Sequence, residues 1–331
     1  MQGELLGGFF SRNDCNGKGF FRYNDRMKSG CKIFCLKRFV LFWMAAGMVV
    51  SPLAGMAAEE TRVQVSGAEL NYIEAGEGRP VVMIHGNHSS LYVYSSTIFD
   101  AVSQKYRAVA IDLPGYGKSK RAKSKMTFDE QAAALHEAFA RLKIEKPVMV
   151  GHSMGAAIVL RYILNYPGEV HAAVLTAPYT TPFQRIRKIY RVAKIPVLGD
   201  LFIGTCVKPI QFFRSSGAWT KAGFSPEPVD MGYTQKEVRL ALQRGNFKNA
   251  ARNMFALRDA LREMNGRYGE IKVPVIILAG DSDLIAPPEE QARPLHEKIP
   301  GSRLIILPRA GHLPMFTRRD EILKAIDEAG R

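Results

Sequence analysis

Gly151-His152-Ser153-Met154-Gly155 stands between a β-like run, Pro147-Val148-Met149-Val150, and a helix-like run, Ala156-Ala157-Ile158-Val159-Leu160-Arg161-Tyr162-Ile163. A strand that turns sharply into a helix around a serine presents the hydroxyl at the tip of the turn. Glycines on both sides admit a turn too tight for a side chain, and the free amides of the helix N-terminus lie just behind the place where negative charge would develop. Such a hydroxyl still needs a base to take its proton. The plainer reading of the same five residues is a helix start with Ser153 as its cap.

Outward from this stretch, further motifs follow apolar runs. Upstream, Val81-Val82-Met83-Ile84 ends in His85-Gly86-Asn87-His88, and Ala108-Val109-Ala110-Ile111 leads into Asp112-Leu113-Pro114-Gly115-Tyr116-Gly117-Lys118-Ser119. Downstream, Val275-Ile276-Ile277-Leu278-Ala279 runs into Gly280-Asp281-Ser282-Asp283, and Leu304-Ile305-Ile306-Leu307 precedes Ala310-Gly311-His312-Leu313-Pro314. With these motifs at predicted strand ends, the chain resembles the α/β-hydrolase fold family over about residues 61 to 331, a family whose triad runs in the order serine, acid, histidine. Haloalkane dehalogenases and epoxide hydrolases of similar sequence carry aspartate where this chain has Ser153, which counts against both.

The chemistry assigns the roles. Ser153 would attack a carbonyl carbon, His312 would take its proton and return one to the leaving group, and a carboxylate would hold the imidazole in the right tautomer. Asp283 matches the family pattern of glycine, two residues, then the acid; Asp281 is the rival, with a turn residue bonding nearby amides as its other role. The resemblance implies oxyanion donors in the backbone amides of Met154 and Asn87. Asn87-His88 departs from the commoner bulky apolar residue followed by a small residue or proline, so His88 has three readings: lining an acyl pocket, bonding a loop carbonyl, or packing the loop. His85 and His152 read as packing residues.

No pair of ligand-spaced His or Cys, no clustered carboxylates and no glycine-rich dinucleotide loop accompany these motifs, so neither metal nor cofactor is predicted. The chain has 331 residues, 47% of them hydrophobic, enough for one large core or two modest ones. Strand-like and helix-like segments alternate from Val81 to Ala177 and from Val273 onward, which predicts an α/β fold with a mostly parallel central sheet flanked by helices. Arg62 to Ser66 and Leu70 to Glu74, divided by Gly67, predict an antiparallel edge hairpin, and Thr127-Phe128-Asp129-Glu130 has capping-box form. Between Pro178 and about Met264 the alternation gives way to helix-like segments with prolines, the place where similar hydrolases carry a helical cap. The predicted organisation is therefore 1–58 signal peptide or anchor, 59–177 first part of the core, 178–264 helical cap, and 265–331 second part of the core.

Charge is uneven along the chain. Residues 178–264 hold 15 Lys and Arg against 6 Asp and Glu, whereas 59–177 hold 13 against 12 and 265–331 hold 10 against 10. Phe183, Ile186, Ile189, Tyr190 and Ala193 recur at helical spacing with Arg185, Arg187, Lys188, Arg191 and Lys194 between them, which describes a basic amphipathic helix. A second cluster, Lys118, Lys120, Arg121, Lys123 and Lys125, is expected at the site mouth. Such a face suits an anionic membrane or acidic substrate groups, or it is a solvated surface that keeps the protein soluble. Nucleic acid is not an expected partner, since no groove-reading motif or aromatic-interleaved basic run is present.

Near the N-terminus, Lys37-Arg38 precede the apolar run Phe39 to Val50, and small residues follow up to Ala57-Ala58 before Glu59-Glu60. This reads as a secretory signal cut after Ala57 or Ala58, with translation starting at Met27; the alternative is an uncleaved anchor through residues 39–58. Of 4 cysteines, only Cys206 lies beyond the cut, so an exported form needs no internal disulfide. With the resemblance, these features imply a periplasmic or secreted serine hydrolase for carboxylic esters, lipase-like or short-chain. The alternatives are a carbon-carbon bond hydrolase with the same triad and a ligand-binding member of the fold that no longer catalyses.

Overall fold

Short apolar runs rich in Val, Ile and Ala become strands because their side chains can be covered on both faces of one sheet. The computed structural model describes residues 58–331, apart from 124, 184, 185, 187, 194, 196, 208–217, 242 and 243. Its strands are β1 (Glu60–Val65), β2 (Ala68–Ala75), β3 (Pro80–Ile84), β4 (Arg107–Ile111), β5 (Lys120–Arg121), β6 (Val148–His152), β7 (Ala172–Thr176), β8 (Val275–Gly280) and β9 (Arg303–Leu307). They form one sheet in the order β1-β2-β4-β3-β6-β7-β8-β9, with β5 also paired to β2. The pairs from β4 through β9 are parallel, and those of β2 with β1, β4 and β5 are antiparallel.

The alternation of side chains along each strand divides the core in two. Val82 and Ile84 of β3 face one apolar cluster, with the helices Phe128–Arg141 and Met154–Asn165, while Val81 and Met83 face the other, with the C-terminal helix Arg319–Ala329. The hairpin forms as predicted, but only β1 is an edge. Leu70 and Ile73 bury themselves on opposite faces, and β2 is drawn inside, against β4. Thr127 caps its helix as expected: Oγ1 accepts from the Glu130 amide at 3.1 Å, and Glu130 Oε2 accepts from the Thr127 amide at 2.8 Å.

The chain leaves β3 toward β4 on one side and later returns to place β6 on the other. A crevice opens at the C-terminal ends of neighbouring parallel strands at such a reversal. His85-Gly86-Asn87 follow β3, and Ser153 follows β6, so the topology brings the two motifs together.

Between β7 and β8 lie the helices Lys188–Ala193, Leu198–Phe202, Ala218–Phe224, Met231–Ala241 and Arg244–Met264. Ile186, Tyr190, Ala193, Ile203, Phe247 and Ala251 form a cluster of this insertion's own. Farther along the last helix, Leu257, Leu261 and Met264 join the main core, so the insertion is continuous with the rest of the fold. Buried Arg161 of the helix after Ser153 pairs with Glu263 at 2.7 Å and Asp129 at 3.3 Å, tying the long helix down. Of the predicted basic helix over 183–194, the described residues show a helix at Lys188–Ala193; Lys188 and Arg191 are exposed, and Arg185, Arg187 and Lys194 lie outside the described residues. Residues 1–57, with the expected leader and three of the cysteines, also lie outside them. Among the described residues no helix is long and apolar enough to cross a membrane.

A Cβ on Gly155 would overlap the carbonyl oxygens of Ile84 and His85, whereas one on Gly245, near the start of the long helix, meets open space. Gly155→Ala is therefore expected to cost about 1–3 kcal/mol and Gly245→Ala to stabilise by a few tenths of a kcal/mol. Urea unfolding of the two variants reads both signs; equal effects would contradict this packing.

Candidate active site

Ser153 occupies a sparsely populated backbone conformation, φ 54° and ψ −118°. A non-glycine residue held there stores on the order of 1–3 kcal/mol, which its surroundings must over-determine. They do so through several contacts. The Ser153 amide donates to the Thr176 carbonyl at 3.0 Å, and the Ser153 carbonyl accepts from the amides of Ala156 at 3.1 Å and Tyr179 at 3.2 Å. A Cβ on Gly151 would lie 2.7 Å from the Ala156 Cα, so the turn closes only with glycine there. The side-chain oxygen makes no cap hydrogen bond to its own helix; it faces histidine.

His312 Nε2 lies 2.9 Å from Ser153 Oγ, and His312 Nδ1 lies 2.7 Å from Asp283 Oδ2. All three side chains are buried. Asp283 Oδ1 accepts from the amides of Ile285 at 2.8 Å and Ala286 at 2.9 Å, which fixes the carboxylate plane. Burial alone would raise the Asp283 carboxyl, but the charge and hydrogen bond of His312 together with the two amides outweigh it and hold the group below its ordinary value. An ionised acid on Nδ1 selects the tautomer whose Nε2 is free to accept the serine proton. Asp281, the rival acid, is exposed and accepts instead from Ser282 Oγ at 2.7 Å.

His152 contributes to the same geometry as a clamp. Its Nε2 donates to the His312 carbonyl at 2.8 Å, Nδ1 has no partner among the described residues, and burial followed by the charge of His312 brings its pKa down to about 3. It is a neutral donor and not a second base. The loops of Asp283 and His312 are also tied together, the Asp281 amide bonding the Leu307 carbonyl at 3.1 Å and the Ser282 amide bonding that of Ala310 at 3.1 Å.

Gly86 brings the loop after β3 onto the serine turn, since a Cβ there would lie 2.9 Å from His152 Nδ1 and 3.0 Å from Ser153 Cβ. The amides of Asn87 and Met154 make no backbone hydrogen bond to another described residue. His85 packs beneath the loop as expected: Nε2 accepts from the Leu113 amide at 3.0 Å, Nδ1 donates to the Gly86 carbonyl at 2.8 Å, and burial brings its pKa down to about 4. Of the three readings of His88, the structure favours packing. The ring lies at φ 57° with Nε2 2.9 Å from the Tyr190 hydroxyl, stacked on Tyr190 and tilted against Phe247.

Several residues to which the sequence reading gave no role support the site. Buried Asp112 accepts from the amides of Leu91 at 2.7 Å and Lys118 at 2.9 Å and from Asn71 Nδ2 at 2.9 Å, joining its own loop to the segment at Leu91 and to β2. Gln291 Oε1 accepts from the Thr180 and Thr181 amides at 2.8 and 2.9 Å and anchors the start of the insertion. Asn249 and Asn253, four residues apart on a helix that buries Ala250, Leu257 and Leu261, were the legible signal for a polar contact beneath that helix. The basic cluster after β4 is met by acids. Lys120–Arg121 pair with β2, and Lys118, Lys120 and Lys123 meet Glu60, Glu69 and Glu130 at 2.7, 3.1 and 2.8 Å, because acids of the edge hairpin and helix start lie opposite them. Among the described residues no three His, Cys, Asp or Glu side chains converge as metal ligands would.

A serine, a histidine and an acid at the ends of parallel strands, beside two amides with no backbone partner among the described residues, define an alpha/beta hydrolase. The model of the alpha/beta hydrolase fold family matches residues 79–318, and the chain belongs to that family. A non-heme chloroperoxidase from Synechocystis is 29% identical over 263 residues, 77% of this chain and 92% of the relative. A 2-hydroxy-6-oxononadienedioate/2-hydroxy-6-oxononatrienedioate hydrolase from Comamonas testosteroni is 25% identical, over 77% of this chain and 89% of its own. Among solved structures, an esterase from Exiguobacterium antarcticum superimposes with TM-score 0.65 at 24% identity, covering 82% of this chain and 100% of its own. A bromoperoxidase from Bacillus anthracis does so with TM-score 0.68 at 21%, over 82% and 99%. These two likenesses show the shared fold.

Glu237, on the helix Met231–Ala241, lies buried against the segment beyond the loop after β3, where Ser90 Oγ donates to Oε1 at 2.7 Å. Burial pushes its pKa up to about 8, the Ser90 bond opposes this, Asp112 adds to it, and Lys236 opposes it weakly. Tyr233, also buried, is raised as well and stays neutral. The folded state thus binds more protons than the unfolded chain, whose glutamate titrates near 4.5. The contribution to stability is complete below that value and is lost as pH rises through about 8. Calorimetric melts from pH 5 to 8.5 are expected to show Glu237→Gln gaining on the parent by on the order of 3 kcal/mol; parallel melting curves would refute the raised carboxyl.

Proposed function

We propose that the chain is a serine hydrolase that cleaves carboxylic esters, and the unbroken relay from Ser153 Oγ through His312 to Asp283 carries this reading. His312 Nε2 takes the Ser153 proton as Oγ bonds the carbonyl carbon, and the oxyanion is met by the amides of Asn87 and Met154. The tetrahedral intermediate collapses, His312 hands the proton to the leaving alkoxide, and an acyl-enzyme remains. Water then gives its proton to His312, its oxygen attacks the acyl carbon, and the acid departs as Oγ regains the proton. Asp283 stays ionised throughout and steadies the imidazolium.

An apolar acyl group is the favoured substrate part. Exposed Ile195, Val197, Leu198 and Leu201 stand in one short stretch of the insertion beside exposed Lys188 and Arg191, a surface suited to lipid esters in an anionic layer. In this reading the insertion acts as a cap that excludes water. The Comamonas relative, named a hydrolase of a dienedioate, makes carbon-carbon bond hydrolysis the second reading.

Fluorophosphonate labelling of the purified protein is expected to mark Ser153 and to vanish in Ser153→Ala. Asp283→Asn is expected to lower kcat on p-nitrophenyl esters by about 10³- to 10⁴-fold, and Asp281→Asn by less than about two-fold. Longer acyl chains are expected to be preferred, and to turn over faster in anionic than in neutral vesicles. A protein that labels but cleaves only a 2-hydroxy-6-oxo-dienoate would replace the ester reading with the second. No labelling would remove both.

We also infer export, supported by Lys37-Arg38, the apolar run that follows and the small residues to Ala58. Expression in a bacterial host with its own signal peptidase is expected to yield a mature N-terminus at Ala58 or Glu59; an intact leader on membrane-bound protein would support the anchor instead.

A further inference from the structure

Asn87 stands where the amide proposed as an oxyanion donor is carried, and its side chain is held at both ends. Nδ2 donates to the Ala250 carbonyl at 3.3 Å, and Oδ1 accepts from the Tyr116 hydroxyl at 2.5 Å. Asn253 Nδ2 donates to Tyr116 Oη at 2.9 Å, and Gln131 Nε2 donates to Asn253 Oδ1 at 3.3 Å. Tyr116, Gln131 and Asn253 are each almost wholly buried.

The direction of this chain follows from donor arithmetic. A carbonyl only accepts, so the atom of Asn87 facing Ala250 is the amide nitrogen, and the atom facing Tyr116 is the oxygen. Tyrosine has one proton, which that oxygen takes, so Asn253 must offer its nitrogen to Tyr116 and its oxygen to Gln131. At the far end Gln131 Nε2 also faces the Met126 carbonyl, at 3.4 Å, which demands a donor there too. The two carbonyls thus set one consistent polarity from Gln131 to Asn87: flipping Asn87 would set its oxygen against the Ala250 carbonyl oxygen, and flipping Asn253 would set its nitrogen against Gln131 Nε2.

Three residues of the long helix Arg244–Met264 hold the loops on this side of the site. Asn253 reaches Tyr116, Ala250 reaches Asn87, and Asn249 Nδ2 donates to the Pro114 carbonyl at 3.1 Å, beside Tyr116. The Tyr116 ring also lies edge-on to His85, centroids 5.3 Å apart, and its hydroxyl lies 3.9 Å from Met154 Sδ, so the residue reaches both sides of the proposed oxyanion hole.

We infer that Tyr116 and Asn253 are positioning residues for the oxyanion hole, which the helical insertion holds in register through the side chain of Asn87. The inference rests on the serine-hydrolase reading above. Without the chain, the Asn87 side chain loses its hydroxyl partner, and the loop amide drifts from the place where the oxyanion forms. Ground-state binding does not involve that amide to the same degree, so the loss falls on kcat and not on KM.

Tyr116→Phe keeps the ring against His85 and removes only the hydroxyl, and Asn253→Leu tests the same chain from the other side at similar volume. On an ester that the parent hydrolyses, each is expected to lower kcat by about 10- to 100-fold, with KM changed less than about three-fold. Inhibition by a trifluoromethyl ketone matched to that ester, whose adduct with Ser153 places an oxyanion in the hole, is expected to weaken in parallel with kcat. The double variant is expected to lose no more than the worse single one, because both break one chain. Retained kcat and inhibitor affinity in either folded variant, or a loss that appears only as a lower melting temperature, would overturn the positioning role. A parent that neither labels nor turns over any ester would instead bring down the hydrolase reading itself, a distinguishable result.

Discussion

The conformation of Ser153 sets the terms for everything around it. A serine at φ 54° must be held by its neighbours, and each neighbour that holds it is one the site needs close by. Gly151 and Gly155 let the turn close and let β3 approach it, and Gly86 lets the loop after β3 lie against the serine itself. The strain is met by a sheet whose strand order reverses between β3 and β6, which leaves their C-terminal ends adjacent and open. Backbone geometry thus accounts for the nucleophile and the proposed oxyanion donors together.

Three buried histidines near one serine have three different jobs, and burial and partners separate them. His85 and His152 are driven neutral by burial, each using one nitrogen on a backbone carbonyl, and neither faces an acid. His312 alone faces an ionised carboxylate, Asp283, which remains charged in a buried place because two amides and the imidazole compensate it. The others work as donors that fix loops, and a second base beside the serine is thereby avoided.

The insertion between β7 and β8 is joined to the site by polar contacts as well as apolar ones. Tyr190 meets His88, Ala250 and Asn253 secure the Asn87 loop, and the Gly223 carbonyl accepts from the Leu313 amide at 3.1 Å, next to His312. Gly311 permits that approach, since a Cβ there would lie 2.8 Å from the Gly223 carbonyl oxygen. Glu237, neutral and buried at the same boundary, avoids placing a second charge close to Asp112. Loops built this way are fixed at the site end, while Val197 and Leu198 of the insertion are left in solvent.

The sequence by itself pointed to a mostly parallel sheet, the serine turn, the capping box at Thr127, the helical nature of the insertion, and Ser153, Asp283 and His312 as a set that the structure brings into hydrogen-bond contact. These are local: each depends on residue type at short spacing, on apolar runs of strand length, or on glycines where a turn permits nothing else. Other features depended on partners distant along the chain. The exclusion of Asp281 rests on which carboxylate turns inward to the imidazole 29 residues later. The pairing of Lys118, Lys120 and Lys123 depended on acids brought opposite by β1, β2 and the helix after Thr127, so a run of charge that reads as a free patch is largely neutralised. The partners of Tyr116, Asn253 and Gln131 were likewise unreadable, because a hydrogen bond across 137 residues has no spacing to read. Only the tertiary structure decides which buried polar groups meet, since a desolvated donor takes whichever acceptor the packing places before it.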